Sequence, residues 1–114
     1  MSDYTKHNER TGDELLRILE ALANPHRLRI IAKLVERRTY VSQLARELGM
    51  SRPLLYMHLK RMESAGLVES KLELSADGKA MNYFSITPFV LHLTPEWIAQ
   101  AADTLTDQTR DSKD

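Results

Sequence analysis

The sequence predicts a mainly α-helical domain of α+β class with one small β-hairpin. Three observations carry that expectation: a series of capped segments with helical apolar spacing, one tight glycine turn between two of them, and an Asp-Gly hairpin after the second. The 114 residues suffice for a single modest core and are too few for two. The expected organisation is an N-terminal arm over 1–10, one domain over 11–106 and a polar tail over 107–114.

Residues 1–10 are polar and lack periodicity, as a frayed arm would. In "TGDELLRILEALAN" Thr11 and Glu14 have capping-box spacing, and Leu15, Leu16, Ile18, Leu19 and Leu22 follow. These apolar positions cover more of the helix circumference than one core face requires, so burial on two sides is expected. Asn24-Pro25 ends that helix and starts the next, Asn as cap and Pro at the first helical position. In "PHRLRIIAKLVERR" the expected inward stripe is Leu28, Ile31, Ala32, Leu34 and Val35, with Arg27, Arg29, Lys33, Arg37 and Arg38 outside.

A third helix is predicted from about Val41 to Leu48, with Val41, Leu44, Ala45 and Leu48 inward and Gly49 as its left-handed end. Ser51 caps a fourth, from about Arg52 to Ala65, with Pro53 in its tolerant first turn, Met50 and Leu55 as a hydrophobic staple and Gly66 as its stop. Val68–Leu74 and Ala80–Ile86 flank "SADGK" and form the expected hairpin, with Lys71, Lys79 and Asn82 on or near its solvent side. Phe89, Leu91 and Leu93 alternate with Val90 and His92 in the manner of a short strand. Thr94-Pro95 then starts a last helix bearing Trp97, Ile98, Ala101, Ala102 and Leu105.

Three helices and a hairpin, with "GMSR" joining the last two helices, form a winged helix-turn-helix pattern. Leu44, Ala45, Leu48, Gly49, Met50 and Leu55 supply apolar, small, apolar, glycine, apolar and apolar residues where that motif needs them. Ala45 is small where two helices cross, and Gly49 tolerates positive φ in the turn. The overall charge of zero conceals an asymmetry. Residues 1–23 hold three basic and five acidic residues, 24–87 eleven and six, and 88–114 two and five. A basic centre between acidic ends suits a polyanion facing the middle segment.

"LANPHRLRIIAKL", "VSQLARELGMSRPLLYMHLKRMESAGLV" and "DGKAMNYFSIT" resemble, in that order, the ArsR-type winged-helix repressors of bacteria and archaea. The resemblance covers about residues 15–87. It implies that the second helix of the motif, Arg52 to Arg61 here, enters the DNA major groove. The wing near Asp77 to Lys79 would touch an adjacent groove or the backbone, and Asp13–Leu22 with Thr94–Leu105 would form a symmetric dimer.

The residues themselves point the same way. With Leu55, Leu59 and Met62 as core stripe, the exposed side carries Arg52, Tyr56, Lys60 and Arg61, with Leu54, Met57 and His58 at its edges. Arg makes bidentate contacts to guanine, Tyr bonds phosphates or base edges, and Leu54 or Met57 meets thymine methyls. Lys60, Arg61, Lys71 and Lys79 suit phosphates, and Ser51 at the helix start completes the DNA-binding set. Leu15, Leu16, Leu19, Phe89, Leu91, Trp97, Ile98, Ala101 and Leu105 are the expected dimer interface, the surplus apolar surface of the two terminal helices. Two recognition helices would then stand roughly 34 Å apart on a near-palindromic operator of double-stranded DNA.

Other functions find less support. With no cysteine, disulfides, thiolate catalysis and sulfur-based metal sites are excluded. His92 and Asp103 lie eleven positions apart without a further His or Glu at helical spacing, and His7 and His26 are weaker metal candidates still, so no metal or cofactor is expected. No Ser/His/Asp, paired-carboxylate or glycine-rich phosphate motif appears, which argues against an enzyme. No apolar run approaches a membrane span and the N-terminus lacks a signal-peptide pattern, so a cytoplasmic protein is the expectation. The competing reading is a winged-helix module that docks another protein through the same basic helix. The sequence leaves the effector, a small molecule or a protein, open.

Overall fold

A computed structural model of the chain describes residues 10–106, and four of the five helices among them begin at a side-chain cap. In helix α1 (Gly12–Leu22) the Thr11 hydroxyl accepts from the Glu14 N–H and the Glu14 carboxylate accepts from the Thr11 N–H, a reciprocal capping box. Helix α2 (Pro25–Glu36) starts at Asn24, whose Oδ1 accepts from the His26 N–H at 2.9 Å, with Pro25 already holding a helical φ. Strand β1 (Thr39–Tyr40) runs directly into helix α3 (Val41–Leu48), which has no side-chain cap. Ser51 caps helix α4 (Arg52–Ser64) and Thr94 caps helix α5 (Pro95–Ala102). Strands β2 (Val68–Leu74) and β3 (Ala80–Ile86) form the hairpin at the expected boundaries. The predicted arm and tail, apart from Arg10, lie outside the described residues.

The turn between α3 and α4 depends on Gly49, whose φ of 64° is the left-handed conformation that a side chain disfavours. Beyond it the Met50 N–H reaches back to the Ala45 carbonyl at 3.0 Å, satisfying an end carbonyl of α3 and setting the angle at which α4 departs. Ile30, Leu44, Leu55, Leu59, Met62 and Leu67 are fully buried, and Ile18, Ala21, Leu34, Val41, Ala45, Val68 and Phe84 complete one core. Burying each large aliphatic side chain is worth about 1.5–3 kcal/mol, and α4 supplies three of these anchors.

Helix α2 departs from expectation. Arg27, Ile30 and Leu34 are buried and Ile31 is half-buried, whereas Leu28 is 54% and Val35 68% exposed and Ala32 faces solvent. The inward set is i, i+3, i+4, i+7 counted from Arg27, so an arginine occupies a stripe position and hid the phase of the stripe. Its guanidinium is accommodated because Nε donates to the Ala21 carbonyl at 2.7 Å and an Nη to the Glu20 carbonyl at 3.3 Å, closing the C-terminal end of α1.

The sheet has the order β1-β3-β2, all antiparallel, with Val68 opposite Ile86, Leu74 opposite Ala80, and Thr39 opposite Phe84. Two residues are too few for β1 to leave a periodic signal; β3 supplies its register. The short strand expected over 88–93 does not form. Both edges of β3 are already paired, and the segment instead packs Phe89 and Leu91 on the core while the Arg10 guanidinium donates to the Val90 carbonyl at 3.2 Å.

The expectation that α1 buries two sides is met within one chain. Leu15, Trp97 and Ala101 form a second apolar cluster, flanked by Leu19 and Leu91, that joins α1 to α5. The helices approach so closely at Gly12 that an added Cβ would lie 2.3 Å from the Ala101 carbonyl oxygen. The Gly12 N–H donates to the Thr104 hydroxyl at 2.6 Å, which itself donates to the Ala101 carbonyl at 2.8 Å.

Candidate nucleic-acid interface

Helix α4 is fixed by its inner stripe and open along its outer one. Leu55, Leu59 and Met62 hold it in the core, while Arg52, Leu54, Tyr56, Met57, Lys60 and Arg61 are exposed. Ser51 is exposed as well, but its hydroxyl accepts from the Leu54 N–H at 3.3 Å and so serves the cap. A rigid helix with a polar and basic outer edge is suited to presenting donors to a grooved polyanion.

His58 belongs elsewhere. It is only 3% exposed, and its Nδ1 accepts from the Arg27 guanidinium at 3.0 Å. The expectation that it reads DNA is therefore corrected: it turns inward to meet the arginine that α2 buries. Because Nδ1 accepts, Nε2 carries the hydrogen, and that buried N–H has no hydrogen-bond partner among the described residues. Burial first, then the charges of Arg27, His26 and Arg61, push the imidazole below its ordinary pKa. The neutral ring thus ties α4 to α2 and, through Arg27, to the end of α1.

The wing stands against α4 across an open groove of about 370 Å³ lined by Tyr40, Ser42, Arg52, Tyr56, Leu72 and Asn82 among others. Tyr40, set opposite Tyr83 by β1 pairing, and Ser42, in the first turn of α3, carry no sequence signal for this face. Lys71 and Lys79 are exposed on the hairpin, as expected, though Lys71 Nζ lies 3.8 Å from the Glu73 carboxylate. Within the wing turn Asp77 accepts from the Ser75 hydroxyl and, at 3.4 Å, from the Lys79 N–H, which holds its carboxyl below the usual carboxylate range. The wing is braced to the α2–β1 link by a bidentate pair, Arg38 to both Glu73 oxygens at 2.7 and 2.9 Å, with the same guanidinium 4.0 Å from the centre of the Tyr83 ring. That pair holds Glu73 below its ordinary pKa.

The candidate dimer residues divide in two. Leu15, Trp97 and Ala101 are buried within the chain by α1–α5 packing, and Phe89 and Leu91 are half-buried on the core, so they cannot supply the free surface expected of them. Leu19 is half-buried beside the second cluster, whereas Leu16, Ile98 and Leu105 remain 38–45% exposed, joined by Val90 and Leu93. The described residues hold no cluster of three or more potential metal ligands, and no helix among them is long and apolar enough to cross a membrane.

Known proteins share this arrangement. The family model described as bacterial regulatory protein, arsR family, matches residues 24–70, from the start of α2 into β2. A protein of Methanocaldococcus jannaschii described as an HTH-type transcriptional regulator is 35% identical over 85 residues, covering 75% of this chain and 88% of the relative. A biofilm growth-associated repressor of Xylella fastidiosa is 30% identical over 63 residues, 55% of each chain. The solution structure of a homodimeric winged helix-turn-helix DNA-binding domain of Mycobacterium bovis superposes with a TM-score of 0.60 at 27% identity, over 79% of this chain and 73% of that one.

Proposed function

The chain belongs to the ArsR family of bacterial regulatory proteins and is a DNA-binding transcriptional regulator, and from that premise we propose that it is a homodimeric repressor. The observation that carries the reading is the outer edge of α4, where Arg52, Tyr56, Lys60 and Arg61 stand exposed on a helix locked by three fully buried side chains. This edge lies in the major groove, with Arg52 and Tyr56 reading bases and Lys60, Arg61 and Lys79 on phosphates. Leu16, Ile98 and Leu105 meet their counterparts across a two-fold axis and set the half-site spacing at about one helical turn. A relative named as a repressor and a structural neighbour described as homodimeric support the finer statement.

Such a role needs no catalytic step and places the protein in the cytoplasm with its operator. Sedimentation at micromolar concentration is expected to give the dimer mass, and selection from random duplex DNA a near-palindromic site. A monomeric mass contradicts the dimer; a selected pool without a shared sequence contradicts specific binding.

A further inference from the structure

A helix that fills a major groove touches both walls of it. The helix with its side chains is about 10–12 Å across and the groove about 12 Å wide, so one phosphate backbone lies along each flank. On one flank of α4 is the wing groove described above. On the other, between α1 and α4, an open groove of about 390 Å³ is lined by Arg17, Glu20, Met57, Lys60, Arg61 and Ser64, with Ala21 at its floor. Met57, Lys60 and Arg61 belong both to this groove and to the exposed edge of α4, so the two surfaces are continuous.

The charges of this groove are arranged unlike the ion pairs elsewhere among the described residues. Lys33 and Arg37 both face Glu47, and Arg38 and Lys71 both face Glu73. Arg17, Lys60 and Arg61 form no ion pair among the described residues, although Glu20 lines the same groove. Three cations without an ion pair, set against one carboxylate and joined by a hydroxyl at one open groove, are the chemistry of a phosphate seat.

We propose that the groove between α1 and α4 seats a backbone phosphate of the DNA strand opposite the wing, which makes Arg17, outside the helix-turn-helix, a DNA contact. The inference rests on the major-groove reading of α4. It gives α1 two adjoining tasks, since Leu16 and Arg17 are neighbours about 100° apart on the helix: one faces the dimer partner and the other the duplex. Glu20, the one acidic lining residue among the described residues, opposes the phosphate.

The test is the salt dependence of binding to a selected duplex by the full chain carrying Arg17→Ala, Arg17→Lys or Glu20→Gln. Arg17 and Glu20 are exposed, so these changes leave the core intact, and unchanged melting and dimer mass verify that. Arg17→Ala is expected to lower the slope of log affinity against log salt by about one and to weaken binding roughly fivefold at 0.15 M salt, equally for all sequences. Arg17→Lys should keep the wild-type slope, and Glu20→Gln should tighten binding to every duplex. A wild-type slope in Arg17→Ala overturns the proposal, whatever the affinity. So does a melting-temperature rise in DNA-free protein with inorganic phosphate that Arg17→Ala abolishes while the DNA slope stays unchanged, because the occupant is then a free anion. Failure of the wild-type chain to prefer any duplex is a separate result, which removes the major-groove reading itself.

Discussion

The α2–β3 region and the α1–α5 end are built on different principles. In the first, the largest core side chains are fully buried, the helices are joined by short links, and the outer edge of α4 is basic, while Leu28, Val35, Leu72 and Leu74 stand exposed away from that edge. In the second, one small cluster of Leu15, Trp97 and Ala101 joins two helices at a glycine contact, and Leu16, Ile98 and Leu105 remain exposed beside it. A rigid unit that presents a reading helix requires internal packing density. A unit that completes itself against a second copy requires apolar surface left over.

Substitutions can separate the two. The largest effect is expected from Leu59→Ala, which removes a fully buried anchor of α4: about 2–5 kcal/mol of stability, read from chemical denaturation, with DNA binding lost through unfolding. Gly12→Ala forces a Cβ against the Ala101 carbonyl and should cost about 1–3 kcal/mol. It should also shift Trp97 fluorescence and weaken the dimer in sedimentation while helical circular dichroism of the remaining core persists. Loss of both regions together in Gly12→Ala would mean that they are one cooperative unit.

A smaller effect links the regions through His58. Its lowered pKa means that the unfolded chain, near 6.5, takes up the proton first as pH falls. The share of folding stability tied to this ring is therefore fully present above about 6.5 and lost as pH falls from there toward the lowered folded value. In His58→Gln the side-chain carbonyl can still accept from Arg27, so the denaturation midpoint should lose most of its dependence on pH in that window. A midpoint as pH-dependent as wild type would assign the titration to another group. The smallest effect is expected at Val35→Ala, within about 0.5 kcal/mol, because this side chain is 68% exposed where the helix pattern alone places it inside.

The same contrast governs what was legible in the sequence. Caps, turn glycine and hairpin are local chemistry, so Thr11, Asn24, Ser51, Thr94, Gly49 and the strand limits of the wing stand where the residues put them. The phase of α2 was hidden because Arg27 fills a core position, a placement possible only when Ala21, Glu20 and His58 arrive from two other helices. For the same reason His58 read as surface: its partner is 31 positions away. Composition reports the surplus apolar surface of α1, not which of it α5 takes within one chain. Arg17 carries no signal of its own in the sequence, and only the fold sets it beside Lys60 and Arg61.

In the proposed function the outer edge of α4 reads sequence while the wing adds affinity without reading. Competition binding of wild type, Arg52→Ala/Tyr56→Ala and Lys79→Ala, on a selected operator and on a scrambled duplex across a salt series, tests it most directly. Wild type is expected to prefer the operator by about 10³-fold or more, with log affinity falling linearly in log salt. The double variant should lose most of that preference, and Lys79→Ala should weaken both duplexes alike with a slope lower by about one. An operator preference that survives Arg52→Ala/Tyr56→Ala unchanged would contradict that division of roles.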